Sequence, residues 1–298
     1  MPNQISIKRS VAVEGLNVYN GRRNTVTFRP KEEDSGLVFV VNGARVPAIL
    51  KLANHKRGTI VLDDGQQRVH LIEHLLSAVY ALGIDNIEME LSDNVCPTTD
   101  NCAHEYFEAL RDLRIEQKVS KKFWKYVKDV ETHIKGDEER KPDRLSVNSA
   151  DGFVIDYFAY YPHHVVGEQR YIFDFNEDIY ARDVANARSP AFISDGFAGT
   201  ILRLANKLFW YKGINERNSL LITSEKAERY ANPAEFGVRY CGKEFVRHKL
   251  LDVLGTLALT GRHFVDTEFK FEMTGHRFDL YAMKKLFSAG CFGEYVKS

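Results

Sequence analysis

The feature that most constrains this chain is a pattern that occurs twice. Residues 72–83 read IEHLLSAVYALG, and residues 246–261 read VRHKLLDVLGTLALTG. Each segment combines a histidine with apolar residues at helical spacing, ends in glycine, and precedes an alternating, strand-like run at residues 87–91 or 267–271. Such a repeat predicts two related halves whose helices meet at a shared interface, where functional sites tend to lie. Chance similarity of two amphipathic helices is the alternative interpretation.

We therefore predict an α+β fold of two related α/β-layered halves, each a small sheet packed with helices, with the active site between them. Residues 1–125 form the first half, and residues 126–298 form the second. Strand-like runs cover residues 6–13, 25–28 and 36–41, and a helical pattern covers residues 70–82. Further helices are predicted over residues 103–113 and 245–259, and a charged loop or connection over residues 135–143.

Composition and charge exclude several classes of function. Among the 298 residues, Lys+Arg and Asp+Glu both number 41, and no basic run marks a nucleic-acid surface. No stretch approaches the roughly 20 apolar residues of a membrane helix, and the first residues alternate like a strand rather than forming the apolar core of a signal peptide. We expect a cytoplasmic protein with reduced thiols. Cys96 and Cys102 leave a disulfide or half a metal site open.

One helix offers two metal ligands. His248 and Asp252 are four residues apart, so on a helix their side chains stand one turn apart on the same face. This spacing allows both to bind one tetrahedral zinc ion. The same pair also occurs as a simple surface hydrogen bond, so the metal interpretation needs a third ligand.

The pair Glu73-His74 supplies the third ligand and the base that such a site needs. A hydrolytic zinc site needs three protein ligands, an open position for water and a nearby base. Adjacent helical residues diverge by roughly 100°, so one of the two serves as ligand and the other as base. The alternative is a buried histidine beside a solvated carboxylate. His276 follows a Gly-containing turn and is either a general acid or an ordinary loop histidine.

Together these segments resemble the UDP-3-O-acyl-N-acetylglucosamine deacetylase family, the zinc amidases of lipid A synthesis. The resemblance covers nearly the whole chain, in order. The matching segments are residues 71–87, LIEHLLSAVYALGIDNI; 168–172, EQRYI; 187–192, ARSPAF; 244–255, EFVRHKLLDVLG; and 274–276, TGH. They correspond to the family patterns V-E-H-L-x-A-A-L-x-x-L-G-I-D-N, N-Q-R-Y, A-R-T-F-x-F, E-F-V-R-H-K-x-L-D-x-I-G and S/A-G-H.

The resemblance implies a role for each matched residue. Glu73 is implied as the general base and His276 as the general acid that protonates the leaving amine. Ser189 stands where the family has a threonine that helps to stabilise the oxyanion, and Lys249 adds positive charge beside the site. The implied Zn²⁺ ligands are His74, His248 and Asp252.

The chain departs from the family pattern around the zinc ligands. Thr256 occupies the position of a family aspartate that pairs with the acid histidine, and threonine offers at most a neutral hydrogen bond. Residues 15–21, GLNVYNG, replace G-L-H-T-G, residues 100–103 replace D-G-S-A, and residues 212–216 replace a Gly-Gly turn. The metal ligands are therefore retained, whereas the substrate-facing segments differ.

Three functions follow from these observations. The first is removal of the N-acetyl group from a UDP-3-O-acyl-N-acetylglucosamine-like substrate, for which the apolar residues 208–211 would line an acyl channel or else pack in the core. The second is deacylation of a different amide or sugar by a divergent relative. The third is a metal-binding descendant with weakened catalysis. The acyl length and the oligomeric state do not follow from the sequence.

Overall fold

The computed structural model describes residues 2–128, 131–135, 143–161, 163–193, 212–223 and 230–296. Within them the helices are α1 (Glu73–Ala81), α2 (His104–Arg111), α3 (Glu177–Asp183), α4 (Glu244–Ala258) and α5 (His276–Ser288). The strands are β1 (Asn3–Ile7), β2 (Val11–Leu16), β3 (Arg23–Pro30), β4 (Leu37–Val41), β5 (Ala44–Pro47), β6 (Ala53–Lys56), β7 (Thr59–Asp63), β8 (Arg68–His70), β9 (Ile87–Leu91), β10 (Arg114–Ser120), β11 (Phe123–Tyr126), β12 (Thr132–Lys135), β13 (Arg144–Ser149), β14 (Phe153–Tyr161), β15 (Gly167–Asp174), β16 (Pro190–Ile193), β17 (Leu220–Thr223), β18 (His263–Val265), β19 (Thr267–Glu272) and β20 (Phe292–Tyr295).

Two five-stranded sheets share one topology. The first has the order β2-β3-β9-β4-β5 and the second the order β12-β13-β19-β14-β15. In both, the central strand (β9 or β19) pairs antiparallel with one neighbour and parallel with the other, and the outer pairs are antiparallel. In both, the central strand comes after a long apolar helix and is followed by another helix. The predicted α+β class is confirmed, whereas the division near residue 125 stays a prediction.

The two repeated segments form the central helices, α1 and α4, which pack against each other. All nine residues of α1 are buried, as are all of α4 except Arg247 and Lys249. A helix that is apolar on every side has to lie inside the protein. The predicted glycine ends are also confirmed: Gly83 and Gly261 follow the two helices with φ values of +70° and +78°, which L side chains rarely adopt.

A third glycine sets the distance between α1 and α4. A Cβ atom at Gly255 would lie 2.1 Å from the backbone oxygen of Glu73. The two backbones are therefore in direct contact at this point, and no larger residue fits there without moving one helix. Because Glu73 begins α1, this contact brings the start of α1 against the last turn of α4.

The remaining differences from prediction are local. The strand predicted over residues 6–13 is two strands, β1 and β2, which pair with β10 and β3 respectively. The exposed Lys8, Arg9 and Ser10 carry the chain from one sheet to the other, and alternation alone does not show that change of partner.

The cysteines are free, and Cys96 and Cys102 are buried thiols rather than a disulfide. The apolar residues 208–211 lie outside the described residues, as do residues 136–142 of the charged stretch. No helix in the described part of the chain is long and apolar enough to cross a bilayer.

Candidate metal and catalytic site

Helix α1 places two chemical groups at its start, and both are fully enclosed. Glu73 and His74 are 1% and 4% exposed. One carboxylate oxygen of Glu73, Oε2, accepts a hydrogen bond from the backbone N–H of Ile60 at 3.1 Å. Strand β7 therefore fixes the carboxylate, while Leu71, with φ at +59°, sets the direction in which the chain enters the helix. A left-handed non-glycine residue is strained, and such strain is often found at functional sites.

Helix α4 brings His248 and Asp252 to the same point. The Asp252 Oδ1 atom lies 3.3 Å from Nε2 of His248 and 3.7 Å from Nε2 of His74. Ligand atoms about 2.1 Å from a tetrahedral ion are separated by roughly 3.4 Å. The two measured separations are close to this value, and all three ligand atoms lie within 4.8 Å of one another, so the group could hold a metal ion. In the described part of the chain they form the one group of three or more such residues with metal-binding spacing, and Cys96 and Cys102 are not in it.

The orientation of His248 is set by the segment that precedes Ser189. Its Nδ1 atom donates a hydrogen bond to the backbone oxygen of Ala187 at 2.9 Å. A carbonyl can only accept, so the neutral ring carries its proton on Nδ1 and turns the Nε2 lone pair toward Asp252. Metal-binding histidines are commonly oriented by such a bond on the other ring nitrogen.

A buried ion pair holds that segment against α4. Arg188 and Glu244 are 1% and 0% exposed. The guanidinium of Arg188 donates to both carboxylate oxygens of Glu244, at 2.8 and 3.1 Å, and its backbone N–H donates to Oε1 at 3.0 Å. Losing one partner would leave a buried charge uncompensated. The pair thus connects the two family-like segments, 187–192 and 244–255, at the metal-binding group.

Burial sets the charge of the site. It lowers the pKa of His74 and of His248 to about 3. For His74, the neighbouring ring of His248 lowers the pKa further, as a smaller effect than burial. Both rings are therefore neutral, which is the form that binds metals. Burial, and next the negative charge of Asp252, raise the pKa of Glu73 to about 8. Two enclosed carboxyl groups beside two neutral imidazoles favour a divalent cation, and Asp252 Oδ1 has no hydrogen-bond partner among the described residues.

The predicted general acid, His276, reaches the same group from α5. Nε2 of His276, the first residue of α5, lies 3.6 Å from Asp252 Oδ2 and 3.9 Å from Glu73 Oε1. Burial lowers the pKa of His276 to about 3, against the opposing effect of Asp252. The side chain of Lys249 also points toward Asp252, with its Nζ atom 3.5 Å from Oδ2. The hydroxyl of Thr256 donates to the backbone oxygen of Asp252, one turn earlier in its own helix.

Ser189 lies two residues beyond Ala187, at the edge of the site. Its backbone N–H donates to Asn101 and its backbone oxygen accepts from Leu220, so the backbone is held on both sides. The side chain is partly exposed. Its role at the oxyanion stays a prediction.

A cleft of about 400 Å³ opens beside His276 and Lys249. One wall is aromatic: the rings of Tyr161 and Phe192 stack with centroids 4.5 Å apart, and Phe245 packs beside them. The rim carries two basic residues that the sequence did not predict, Arg277 and His55. The His55 ring lies nearly parallel to that of His276, at 6.2 Å.

No sequence signal pointed to His55, because strand β6 meets α5 only through the tertiary fold. Gly255, by contrast, could have been found. A glycine inside a strong helical pattern weakens the helix and usually has a packing reason.

Comparison with known proteins identifies the family of this chain. The family model described as UDP-3-O-acyl N-acetylglycosamine deacetylase matches residues 4–288. The chain belongs to this family. It is 30% identical over 287 residues to the UDP-3-O-acyl-N-acetylglucosamine deacetylase of Nitratiruptor sp., covering 95% of this chain and 90% of that protein. The enzymes of the same name from Nautilia profundicola and Coxiella burnetii are 29% and 28% identical, covering 97% and 99% of this chain and 93% and 94% of theirs. The expected family resemblance is thereby confirmed.

Proposed function

We propose that this protein is a zinc-dependent amidase that removes the N-acetyl group from a UDP-3-O-acyl-N-acetylglucosamine-like sugar, a step of lipid A biosynthesis, in the cytoplasm. The observation that carries the proposal is the convergence of three ligand-type side chains, a buried carboxylate and a histidine from α1, α4 and α5. Membership of a deacetylase family supports the reaction type.

His74, His248 and Asp252 would hold the metal ion. A zinc ion bound there would supply a Lewis acid for the amide carbonyl and for the attacking water. The neutral imidazoles and the enclosed carboxylate of this chain are the donor set that zinc prefers in hydrolases. Positive charge at this position would also favour the ionised form of Glu73, whose pKa burial raises.

Glu73 would accept the proton of the attacking water. Its Oε2 is held by Ile60, so Oε1 is the oxygen that faces His276. His276, whose pKa burial lowers, would be neutral at rest; its Nε2 atom, which faces both carboxylates, would take this proton from Glu73 and pass it to the leaving amine. Ser189 and Lys249 would stabilise negative charge on the amide oxygen, and one such donor is worth about 3 kcal/mol in other hydrolases.

The cleft would receive the substrate. The aromatic wall of Tyr161, Phe192 and Phe245 offers apolar and stacking contact to the acylated nucleotide sugar. Lys249 and Arg277 offer charge for its anionic groups.

Two measurements test the proposal. Metal analysis of the purified protein should give about one zinc per chain, and incubation with UDP-3-O-acyl-N-acetylglucosamine should release acetate. Zinc without acetate release would favour an amidase for another N-acyl sugar, which the altered segment at residues 15–21 already suggests. Absence of zinc would contradict both functions and leave a non-catalytic descendant.

A further inference from the structure

Two buried polar atoms in the first turn of α5 have no partner. Among the described residues, neither Nδ1 of His276 nor Oδ1 of Asp279 makes a hydrogen bond. The two residues are three apart in one helix, so their side chains lie on the same face, within about 5–6 Å at Cβ. One atom is able to donate and the other to accept. Leaving both unpaired inside the protein is costly, and one water between them would satisfy both.

Asp279 is enclosed, and among the described residues it forms no ion pair. It is 1% exposed, and burial raises its pKa to about 7, against a hydrogen bond from the Thr274 side chain. The charged groups that act on it are Lys249 and Asp252 of α4 and Asp143 before β13. The Tyr157 hydroxyl of β14 donates to the Thr274 backbone oxygen at 2.7 Å. Thr274, two residues before His276, therefore connects this carboxyl group to the turn that precedes α5.

The opposite nitrogen of His276 is already committed to the site. Nε2 faces Glu73 of α1 and Asp252 of α4. The other groups around the ring are His74 of α1, His248 and Lys249 of α4, and His55 of β6. These are placed around the metal-binding group, and the Thr256 hydroxyl is bonded to its own helix. Asp279 is the carboxyl group that shares a helix face with the unpaired Nδ1.

We infer that Asp279 is a positioning residue for His276: one water bridges the two side chains, accepting a hydrogen bond from Nδ1–H and donating one to the carboxyl oxygen, and so leaves Nε2 facing the site. Asp279 thereby supplies, from the helix of His276 itself, the carboxylate that the family resemblance placed at position 256. A carboxylate behind a histidine fixes its tautomer and ring orientation. This role rests on the proposed function, in which His276 is the general acid.

The tautomer of His276 tests the inference directly. Nitrogen-15 NMR of the zinc-loaded protein, with His276 assigned by its absence in H276Q, should show the proton on Nδ1. Asp279→Ala should give a mixture of tautomers, and it should lower kcat by about 10–100-fold with KM and zinc content unchanged. Asp279→Asn keeps an acceptor oxygen and should retain the Nδ1–H tautomer.

The matched control is Asp156→Asn. Asp156 is also buried, but it pairs with Arg170 on strands β14 and β15, and its substitution should leave the tautomer of His276 unchanged. A proton on Nε2 in the unaltered protein would overturn the inference, and that measurement is independent of whether Asp279→Ala folds. An Asp279→Ala protein with the original tautomer and kcat would do the same. An Nδ1–H tautomer that depends on Asp279, in a protein that releases no acetate, would contradict the proposed function alone.

Discussion

The two five-stranded sheets have the same topology, but the helices that go with them contribute different chemistry. In each, a long apolar helix leads to the central strand of a five-stranded sheet, and a second helix follows that strand. Helix α1 contributes Glu73 and His74, and α4 contributes His248 and Asp252. The helices that follow the central strands both begin with histidine, His104 in α2 and His276 in α5, yet only His276 lies against the group.

The difference shows that repetition supplies the scaffold, whereas individual side chains supply the site. The central helices cross with their backbones in contact, which brings one end of each repeat to a common point. Helix α5 also packs on β6 of the three-stranded sheet β6-β7-β8, and α2 packs on α1 and β2. The second helices therefore have different neighbours, and equivalent histidines end in different surroundings.

The largest effect is expected from the metal ligands. His74→Ala and His248→Ala each remove one of three ligands, one from each half, so both should reduce zinc from about one per chain to near zero and abolish activity. Metal analysis and acetate release measure this. His104→Ala is the control and should retain full zinc. If one ligand variant kept its zinc, the halves would not share the site.

The next largest effect is expected at His276, and its equivalent in α2, His104, should show almost none. His276→Gln should lower kcat by about 10²–10⁴-fold, the usual contribution of an acid–base group, with zinc content unchanged. His104→Gln should stay within about twofold, because helix α2 packs on α1 and β2 rather than along the cleft. Steady-state kinetics decide the point, and similar losses in the two variants would contradict the asymmetry.

Buried carboxyl groups from both halves should make stability depend on pH. The folded pKa of Asp279, about 7, lies above its ordinary value of 3.8. As pH rises from about 4 to 7, the unfolded chain ionises while the folded chain does not, so stability is lost until the pH passes the folded pKa.

Asp279→Asn should therefore gain stability over the unaltered metal-free protein by on the order of 3 kcal/mol between pH 5 and pH 8. Denaturant unfolding at both pH values measures the gain. Glu73→Gln should show the same sign, because the pKa of Glu73 is raised to about 8. A gain that shrinks with pH would contradict the assignment.

The last prediction concerns the backbone contact between α1 and α4 at Gly255. Gly255→Ala places a methyl group against the Glu73 backbone, so it should lower the free energy of unfolding by about 3 kcal/mol and weaken zinc binding. Gly261→Ala, at φ +78° with open space around it, should lower stability by about 1 kcal/mol and leave zinc binding intact. Thermal unfolding with and without zinc separates the two results.

Much of the fold was readable because its periodicities are strong. The pattern of residues 245–259 predicted α4 within one residue at each end, and Gly83 and Gly261 marked where the helices end. The break between β1 and β2 was not predicted, because a strand that changes partner keeps its alternation. His55 and Asp279 were missed because neither belongs to a motif, and their surroundings are made by distant segments.

By itself, the sequence determined the fold class, the repeat and the identity of the candidate ligands, since these depend on spacing along single helices and on family-like segments. Only the tertiary structure decided which histidine nitrogen faces the site, since His248 is oriented by Ala187 from a segment about 60 residues away in the chain. It also decided that the Thr256 hydroxyl bonds its own helix while the Asp279 carboxyl group is buried and bonded to Thr274. Burial and orientation arise where separate segments meet, and no local pattern encodes them.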